Sequence, residues 1–313
     1  MSSRPLVSVG VPVYNGEATI RTVISSLLAQ TYAHIEIVIS DNCSNDHTRE
    51  ICLEYAAVDP RVSYSRTESN VGMANNVRRV LQLAKGELFT WTCADDVRPI
   101  DAVEVLVRAL NEAPKAVMAH GPVIATTGCE ERELSNAMVL LASNPARRVA
   151  VFTRHLQHNS MLYGLYKTAV ARKVVFTGRY GMDYLFCLQV SFLGPVAYTV
   201  SPMIVYHERG KITADPMGDA VEFTFRNMAN AGPRMWKCWT VLTEGCRYLW
   251  KLKEESLFRR TAGCLAYSVA FASRYAHRLV QDSILILCST LAAIPLVIFR
   301  RLRRVVLSIP VDR

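Results

Sequence analysis

Carboxylates stand at the ends of apolar runs in this chain, and their chemistry depends on what they meet there. Asp41 closes the run Ile35–Ser40 in IEIVISD. A carboxylate only accepts hydrogen bonds, so it suits a ligand with an N–H edge such as the imide of uracil. An Asp at that place can equally cap its own turn. Asp95 and Asp96 follow the apolar stretch LFTW. Two adjacent carboxylates repel unless a cation lies near them. A hard divalent ion, Mg²⁺ or Mn²⁺, would relieve that repulsion, with diphosphate completing its shell. The plainer alternative is an N-cap for a helix starting near Pro99. Asn70–Asn76, NVGMANN, joins a flexible Gly to a helix start, where backbone amides can face phosphate or simply form a turn with an Asn cap. Asp183 in GRYGMDYLF heads an apolar helix, either as N-cap or as a catalytic base in the same cleft. His207, Arg209 and Lys211 follow PMIVY. They would neutralise a leaving diphosphate or form an ordinary solvated loop.

The elements that must position these groups are read from periodicity. Leu6–Pro12, Ile35–Ser40, Arg61–Thr67 and Leu88–Thr92 are short β-branched or aromatic runs that read as strands, the third at an edge. Between them, Glu17–Gln30, the stretch HTREICLEYAAV with Asp46 as N-cap, and ANNVRRVLQLAKG closed by Gly86 read as helices. Alternation of strand and helix predicts an α/β fold, a mostly parallel sheet covered by helices. Ligands in such sheets bind beyond the carboxyl ends of the strands. Tyr14-Asn15-Gly16, Asp41 to Thr48 and Asp95-Asp96 all fall at those ends, so they read as one site. The middle is less regular, with a helix from about Asp183 and a strand near Val196–Val200.

The chain has 313 residues, 50% hydrophobic and 20% charged, ample for a sizeable core. Nine Cys without C-x-x-C spacing and seven dispersed His exclude a zinc-type pattern. The opening residues lack the apolar run of a secretory signal, so the expectation is a cytoplasmic chain with reduced Cys. Net charge is +9. Gly245–Arg313 carries 12 Lys+Arg against 4 Asp+Glu, or +8, which leaves +1 for the rest. Basic residues set among aromatic and apolar ones point to an anionic membrane surface, not to nucleic acid. Ser283 to Phe299 holds 17 uncharged residues interrupted by Pro295, and RRLRR follows. A span needs about 20, and the positive-inside rule would keep those Arg cytoplasmic. In-plane peripheral association on the inner face of the cell membrane is therefore expected, with a single span or a plain soluble helical tail as the alternatives.

Taken together, VSVGVPVYNGEATIRTVISSLLAQTYAHIEIVISDNCSNDHT, NVGMANN, CADDVRP, MLYGLYKTAV and GMDYLFCLQVSFLGPVAYTV resemble, in order and spacing, family 2 glycosyltransferases of the GT-A fold. The resemblance spans roughly Pro5 to Thr213. It implies a GT-A domain over 1–213, followed by a basic, aromatic helical region over 214–313. It implies an inverting, single-displacement transfer of sugar from a nucleotide-sugar donor, UDP- or dTDP-linked, to a glycan or lipid-linked acceptor of a bacterial-type surface polysaccharide. Pro12, Val13, Tyr14 and Glu17 would line the nucleobase pocket and Asp41 would bind the base edge. Asp95 would lie near the ribose and Asp96 would ligate Mg²⁺ or Mn²⁺. Asp183 would be the general base. Asn70, Gly72 and Arg209 would complete the donor site. The chain departs from many relatives at Cys93, where they carry an acid, at Arg209, which stands about where they carry a His, and at Met182, where they often carry Glu.

Two rival readings use the same residues. A sugar nucleotidyltransferase also needs a sheet, a metal and a nucleotide, but it wants a basic Gly-rich loop after the first strand, and VPVYNGEAT lacks Lys and Arg. A catalytically silent, nucleotide-binding membrane scaffold would be indifferent to Asp183→Asn.

Overall fold

The computed structural model describes residues 4–127, 130–134, 137–156, 160–176, 182–207, 237–252 and 255–290. Its first half alternates β1 (Val7–Val13), α1 (Ile20–Leu28), β2 (Ile35–Asp41), α2 (Thr48–Val58), β3 (Val62–Arg66), α3 (Met73–Leu83) and β4 (Leu88–Trp91). Helix α4 (Ala102–Glu112) leads to β5 (Met118–His120), β6 (Val123–Thr127) and β7 (Glu130–Leu134). Then come α5 (Pro145–His155), a 3₁₀ turn over Ser160–Tyr163, β8 (Leu165–Lys167), α6 (Thr168–Ala171), α7 (Met182–Leu193), β9 (Val196–Tyr198) and β10 (Ile204–His207). Helices α8 (Lys237–Lys251) and α9 (Leu257–Thr290) end the described chain.

The seven-stranded sheet runs β3-β2-β1-β4-β8-β5-β9. Pairs β1–β2, β1–β4, β2–β3 and β5–β9 are parallel, whereas β8 runs antiparallel to both β4 and β5. A strand buried on both faces needs no polar alternation, and β1 and β2 are buried almost throughout. The edge position expected for the third strand holds. Helix α1 buries Ile20, Val23, Ile24 and Leu27, a helical spacing that lays one face on the sheet. Parallel register aligns strand ends: Val13 lies beside Asp41, and Asp41 beside Arg66.

One helix ends sooner than its sequence suggests. Helix α3 stops at Leu83, because Ala84 turns extended (φ −58°, ψ 138°). Gly86 does not cap it. A Cβ there would stand 2.6 Å from the Leu6 carbonyl oxygen and 2.8 Å from Ser8 N, so this glycine serves the approach of two backbones.

A second sheet, β10-β6-β7, is tied to the loop after β4 through backbone bonds between Val97 and Val205 of 2.9 and 2.7 Å. One apolar core extends from Val80 and Trp91 through Phe152 and Phe186 to Tyr267 and Phe271. Helix α9 packs along α5 and α8. Gly245 permits this: a Cβ there would collide with the Tyr267 ring. The Tyr267 hydroxyl donates to the Val241 carbonyl at 2.9 Å, and Arg274 donates to the Thr153 carbonyl at 2.9 Å. Tyr275 (φ −117°, ψ 20°) kinks α9. Helices α8 and α9 thus share their core with α5 and α7; the boundary expected at 213 lies outside the described residues. Among the described residues no helix is long and apolar enough to cross a membrane, and 291–299 of the apolar stretch fall outside them. The outer face of α9 exposes Phe258, Leu265 and Val269.

Candidate active site

The loops after β1 and β2 are joined by side-chain to backbone hydrogen bonds. Asn15 N–H donates to Ser44 Oγ at 2.9 Å, and Gly16 N–H donates to Thr48 Oγ1 at 2.8 Å. Glu17 N–H donates to Asp46 Oδ2 at 3.0 Å, and His47 N–H donates to Glu17 Oε2 at 2.9 Å. Asp46 also accepts Thr48 N–H at 3.0 Å, so it supplies the capping bond for α2 although His47 is the capping position. Asn15 and Cys43 adopt positive φ, 51° and 64°, which sharpens both turns. Thr19 Oγ1 donates to the Ala94 carbonyl at 2.7 Å, tying in the acidic loop after β4.

Asp41 is wholly buried. Its Oδ1 accepts Ser44 N–H at 2.8 Å; its Oδ2 accepts the Tyr64 hydroxyl at 2.7 Å and lies 3.6 Å from the Arg66 guanidinium. It therefore caps its own turn, and a ligand N–H would take a lone pair left on these oxygens. The NVGMANN loop is likewise engaged with itself. Asn70 Oδ1 accepts Gly72 N–H at 2.9 Å and Asn42 Nδ2 at 2.9 Å, while Asn42 Oδ1 accepts Val71 N–H at 2.8 Å. Gly72 takes φ 84°, a conformation glycine accepts freely. Buried Asn76 links this loop to the sheet, donating to the Ser40 carbonyl at 2.8 Å and accepting from Ser40 Oγ at 2.6 Å. Val13 is buried, Pro12 half-buried, and Tyr14 and Glu17 are exposed at the rim.

The acidic loop holds the clearest candidate for a metal. Asp96 N–H donates to the Cys93 carbonyl at 3.3 Å, closing a turn. Ligand atoms of Cys93, Asp95 and Asp96 all lie within 4.8 Å of one another. Asp96 is buried and its Oδ2 lacks a hydrogen-bond partner. Burial, and then the neighbouring Asp95, raise its pKa to about 6, against smaller opposing effects of Tyr163, Cys93 and Arg98. An orphaned, buried carboxylate oxygen beside a second carboxylate is the donor set a divalent cation satisfies.

Arg98, which carries no role in the sequence reading, anchors this loop from below. It is buried, and it donates to Thr92 Oγ1 at 2.8 Å, Thr90 Oγ1 at 2.6 Å, the Trp91 carbonyl at 2.7 Å and the Met203 and Tyr163 carbonyls at 3.1 Å. Burial lowers its pKa to about 10 even though Asp96 favours its charge.

Asp183 stands in the first turn of α7, half-buried, with Oδ1 accepting Tyr184 N–H at 2.8 Å. One helical turn on, Phe186 meets the Trp91 ring edge-on at 5.0 Å. Residues three apart share a helix face, so Asp183 belongs to the face of α7 that packs at the end of β4. Arg209, Lys211 and the side chain of His207 lie outside the described residues.

Residues 8–175 match the sequence model of glycosyl transferase family 2. The chain is 37% identical over 108 residues to an uncharacterized glycosyltransferase of Rickettsia typhi, a match that covers 34% of this chain and 33% of that protein. It is 36% identical over 109 residues to the putative teichuronic acid biosynthesis glycosyltransferase TuaG of Bacillus subtilis, covering 35% of this chain and 43% of TuaG. Among solved structures, TarS 1-349 of S. aureus in complex with UDP-GlcNAc superposes with a TM-score of 0.55 at 16% identity, over 85% of this chain and 90% of TarS 1-349. The mannosyltransferase PcManGT of Pyrobaculum calidifontis in complex with GDP-Man and Mn²⁺ superposes with a TM-score of 0.50 at 16% identity, over 97% of this chain and 85% of that one. The expected GT-A type of fold is thereby shown.

Proposed function

Because the chain belongs to glycosyl transferase family 2, we propose that it transfers a sugar, with inversion, from a UDP- or dTDP-linked donor to a hydroxyl of a glycan or glycolipid acceptor. The observation that carries this reading is the unpartnered, buried Asp96 Oδ2 beside Asp95, where the loops after β1, β2 and β4 converge. Pro12, Val13, Tyr14 and Glu17 line the nucleobase end, with Asp41 ordering the loop and offering its remaining lone pairs to the base. Asp95 faces the ribose, and Asn70 and Gly72 shape the wall. Asp96 with Asp95 would hold Mg²⁺ or Mn²⁺, which when bound neutralises charge on the leaving diphosphate. Arg209 would add a further cation. Asp183 takes the proton of the acceptor hydroxyl as its oxygen attacks the anomeric carbon from the face opposite the diphosphate. That single displacement forms no sugar–enzyme bond, in contrast to a retaining double displacement. The UDP-GlcNAc bound to TarS and the Mn²⁺ and GDP-Man bound to PcManGT support a nucleotide-sugar donor and a divalent ion. The name of TuaG supports surface polysaccharide synthesis.

We further propose peripheral association with the cytoplasmic face of an anionic membrane. The exposed Phe258, Leu265 and Val269 of α9, with Arg259 and Arg260 next to Phe258 in the chain, support it, because such a face binds headgroups and acyl chains together. Removing Gln281–Arg313, or replacing Phe258 and Leu265 with Ser, should release the protein from phosphatidylserine vesicles. Undiminished pelleting of both variants would overturn it.

Calorimetric titration with UDP, dTDP, GDP and CDP, each with and without Mn²⁺, tests the donor site. Mn²⁺-dependent binding of UDP or dTDP is expected. Failure of every nucleotide to bind would overturn the reading.

A further inference from the structure

We propose that the Cys93 thiol is a third ligand of the ion held by Asp95 and Asp96, and that it turns this centre toward thiophilic ions such as Co²⁺, Zn²⁺ or Cd²⁺ relative to Mg²⁺. This rests on the metal-dependent donor site proposed above and specifies its ligands. At position 93 this chain presents sulfur, and the structure brings that sulfur to the two carboxylates. Cys93 Sγ and carboxylate oxygens of both Asp lie within 4.8 Å of one another. Donors on opposite sides of a shared ion, each at about 2.0–2.3 Å, stand roughly 4–4.6 Å apart. Small rotamer changes therefore bring all three atoms onto one ion.

Two further observations agree. Asp96 Oδ2 is buried without a hydrogen-bond partner, so one carboxylate oxygen of this cluster is left for an ion. The turn closed by the Asp96 N–H to Cys93 carbonyl bond, seated on the buried Arg98, fixes residues 93 and 96 relative to each other before any ion arrives. The Tyr163 hydroxyl, 3.5 Å from Cys93 Sγ, can donate to the sulfur once the ion has displaced the thiol proton. A thiolate favours softer ions, whereas carboxylate oxygens suit Mg²⁺ and Mn²⁺. One sulfur among oxygens should therefore change the order of ion affinities without abolishing Mn²⁺ binding.

The test uses the full chain with UDP present. Wild type, Cys93→Ser and Cys93→Asp are titrated with Cd²⁺ and Co²⁺ by ultraviolet absorption, and with Cd²⁺ and Mg²⁺ by calorimetry. The expected result is a thiolate-to-metal charge-transfer band in wild type that Cys93→Ser lacks. Cd²⁺ affinity should drop by about tenfold or more, with Mg²⁺ affinity nearly unchanged, and Cys93→Asp should shift preference toward Mg²⁺. An unchanged band and an unchanged Cd²⁺-to-Mg²⁺ ratio in Cys93→Ser, with Mn²⁺-dependent UDP binding intact, would overturn thiol ligation alone. A Cys93-dependent band alongside metal-independent UDP binding would uphold it and overturn the donor-site reading instead. The eight other cysteines are common to all three proteins, so the difference between them reports on position 93.

Discussion

The loops at the ends of β1 and β2 and the helices α5, α7, α8 and α9 cohere by different means. The loops are held by directional bonds between side chains and backbone: Ser44 to Asn15, Thr48 to Gly16, Asp46 to Glu17, Asn42 to Val71. The helices are held by aromatic and aliphatic contact, as where Phe271 packs between Tyr267 and Tyr275 with ring centroids at 5.6 and 4.7 Å. Directional bonds demand particular residue types at particular positions. Apolar contact demands volume, which many sequences supply. The first region is thus built to keep a polar site in one geometry, and the second to give α7, and Asp183 with it, a firm seat.

Four variants probe that contrast, from largest effect to smallest. Asp183→Asn should lower transfer by roughly 10²–10⁴, the usual worth of a general base, while calorimetry finds donor affinity nearly intact. Full transfer would leave the second region without a catalytic group. Phe271→Ala, at a fully buried site, should cost about 3–5 kcal/mol and move a single unfolding transition downward. A thermogram split in two, with its larger part unmoved, would make α8 and α9 a separate unit. Thr48→Val leaves Gly16 N–H without its acceptor; the expected loss is about 1–3 kcal/mol, together with weaker nucleotide binding. Stability unchanged in denaturant melts would show the loops to be held by something other than these bonds.

The smallest effect is expected from His120, buried at the end of β5 with Nε2 against the Met138 carbonyl at 2.9 Å. Burial lowers its pKa to about 4, from an ordinary value of 6.5. Between those values the unfolded chain binds the proton that the folded chain refuses, so stability falls as pH drops through that window. His120→Gln should flatten this part of the pH–stability curve, and an unaltered slope would assign it to other groups.

The same contrast explains what could be read in advance. Strands β1, β2 and β4 are nearly continuous apolar runs, and each ends in a polar cluster, so the convergence of Tyr14, Asp41 and Asp95-Asp96 was legible. That Asp41 turns inward to Ser44 and Tyr64 was not, because a strand-end Asp looks the same whether it faces a ligand or its own loop. Arg98 was missed for a related reason. Arginine is ordinarily exposed, and its burial here follows from carbonyls at Met203 and Tyr163, distant in sequence. The only local signal was a cation two residues after the Asp pair. Gly86 read as a helix cap because its true constraint, the Leu6 backbone just before β1, is distant in sequence. Strands β5 and β8 have three residues each, too few for periodicity to register, whereas the strand expected near Val196–Val200 is found as β9.

The antiparallel strand β8 has a consequence for the order of assembly. Lys167 pairs with Leu88, and Tyr166 with both Phe89 and Met118. A nascent chain released only as far as α4 would carry β1 to β4 with the backbone of β4 open on one side. Such an edge invites pairing with other chains. Synthesis must reach β8 before that edge closes, and contacts so distant in sequence form slowly. Truncation just before Leu165 should therefore yield a protein prone to aggregate, even though it retains the loops after β1, β2 and β4.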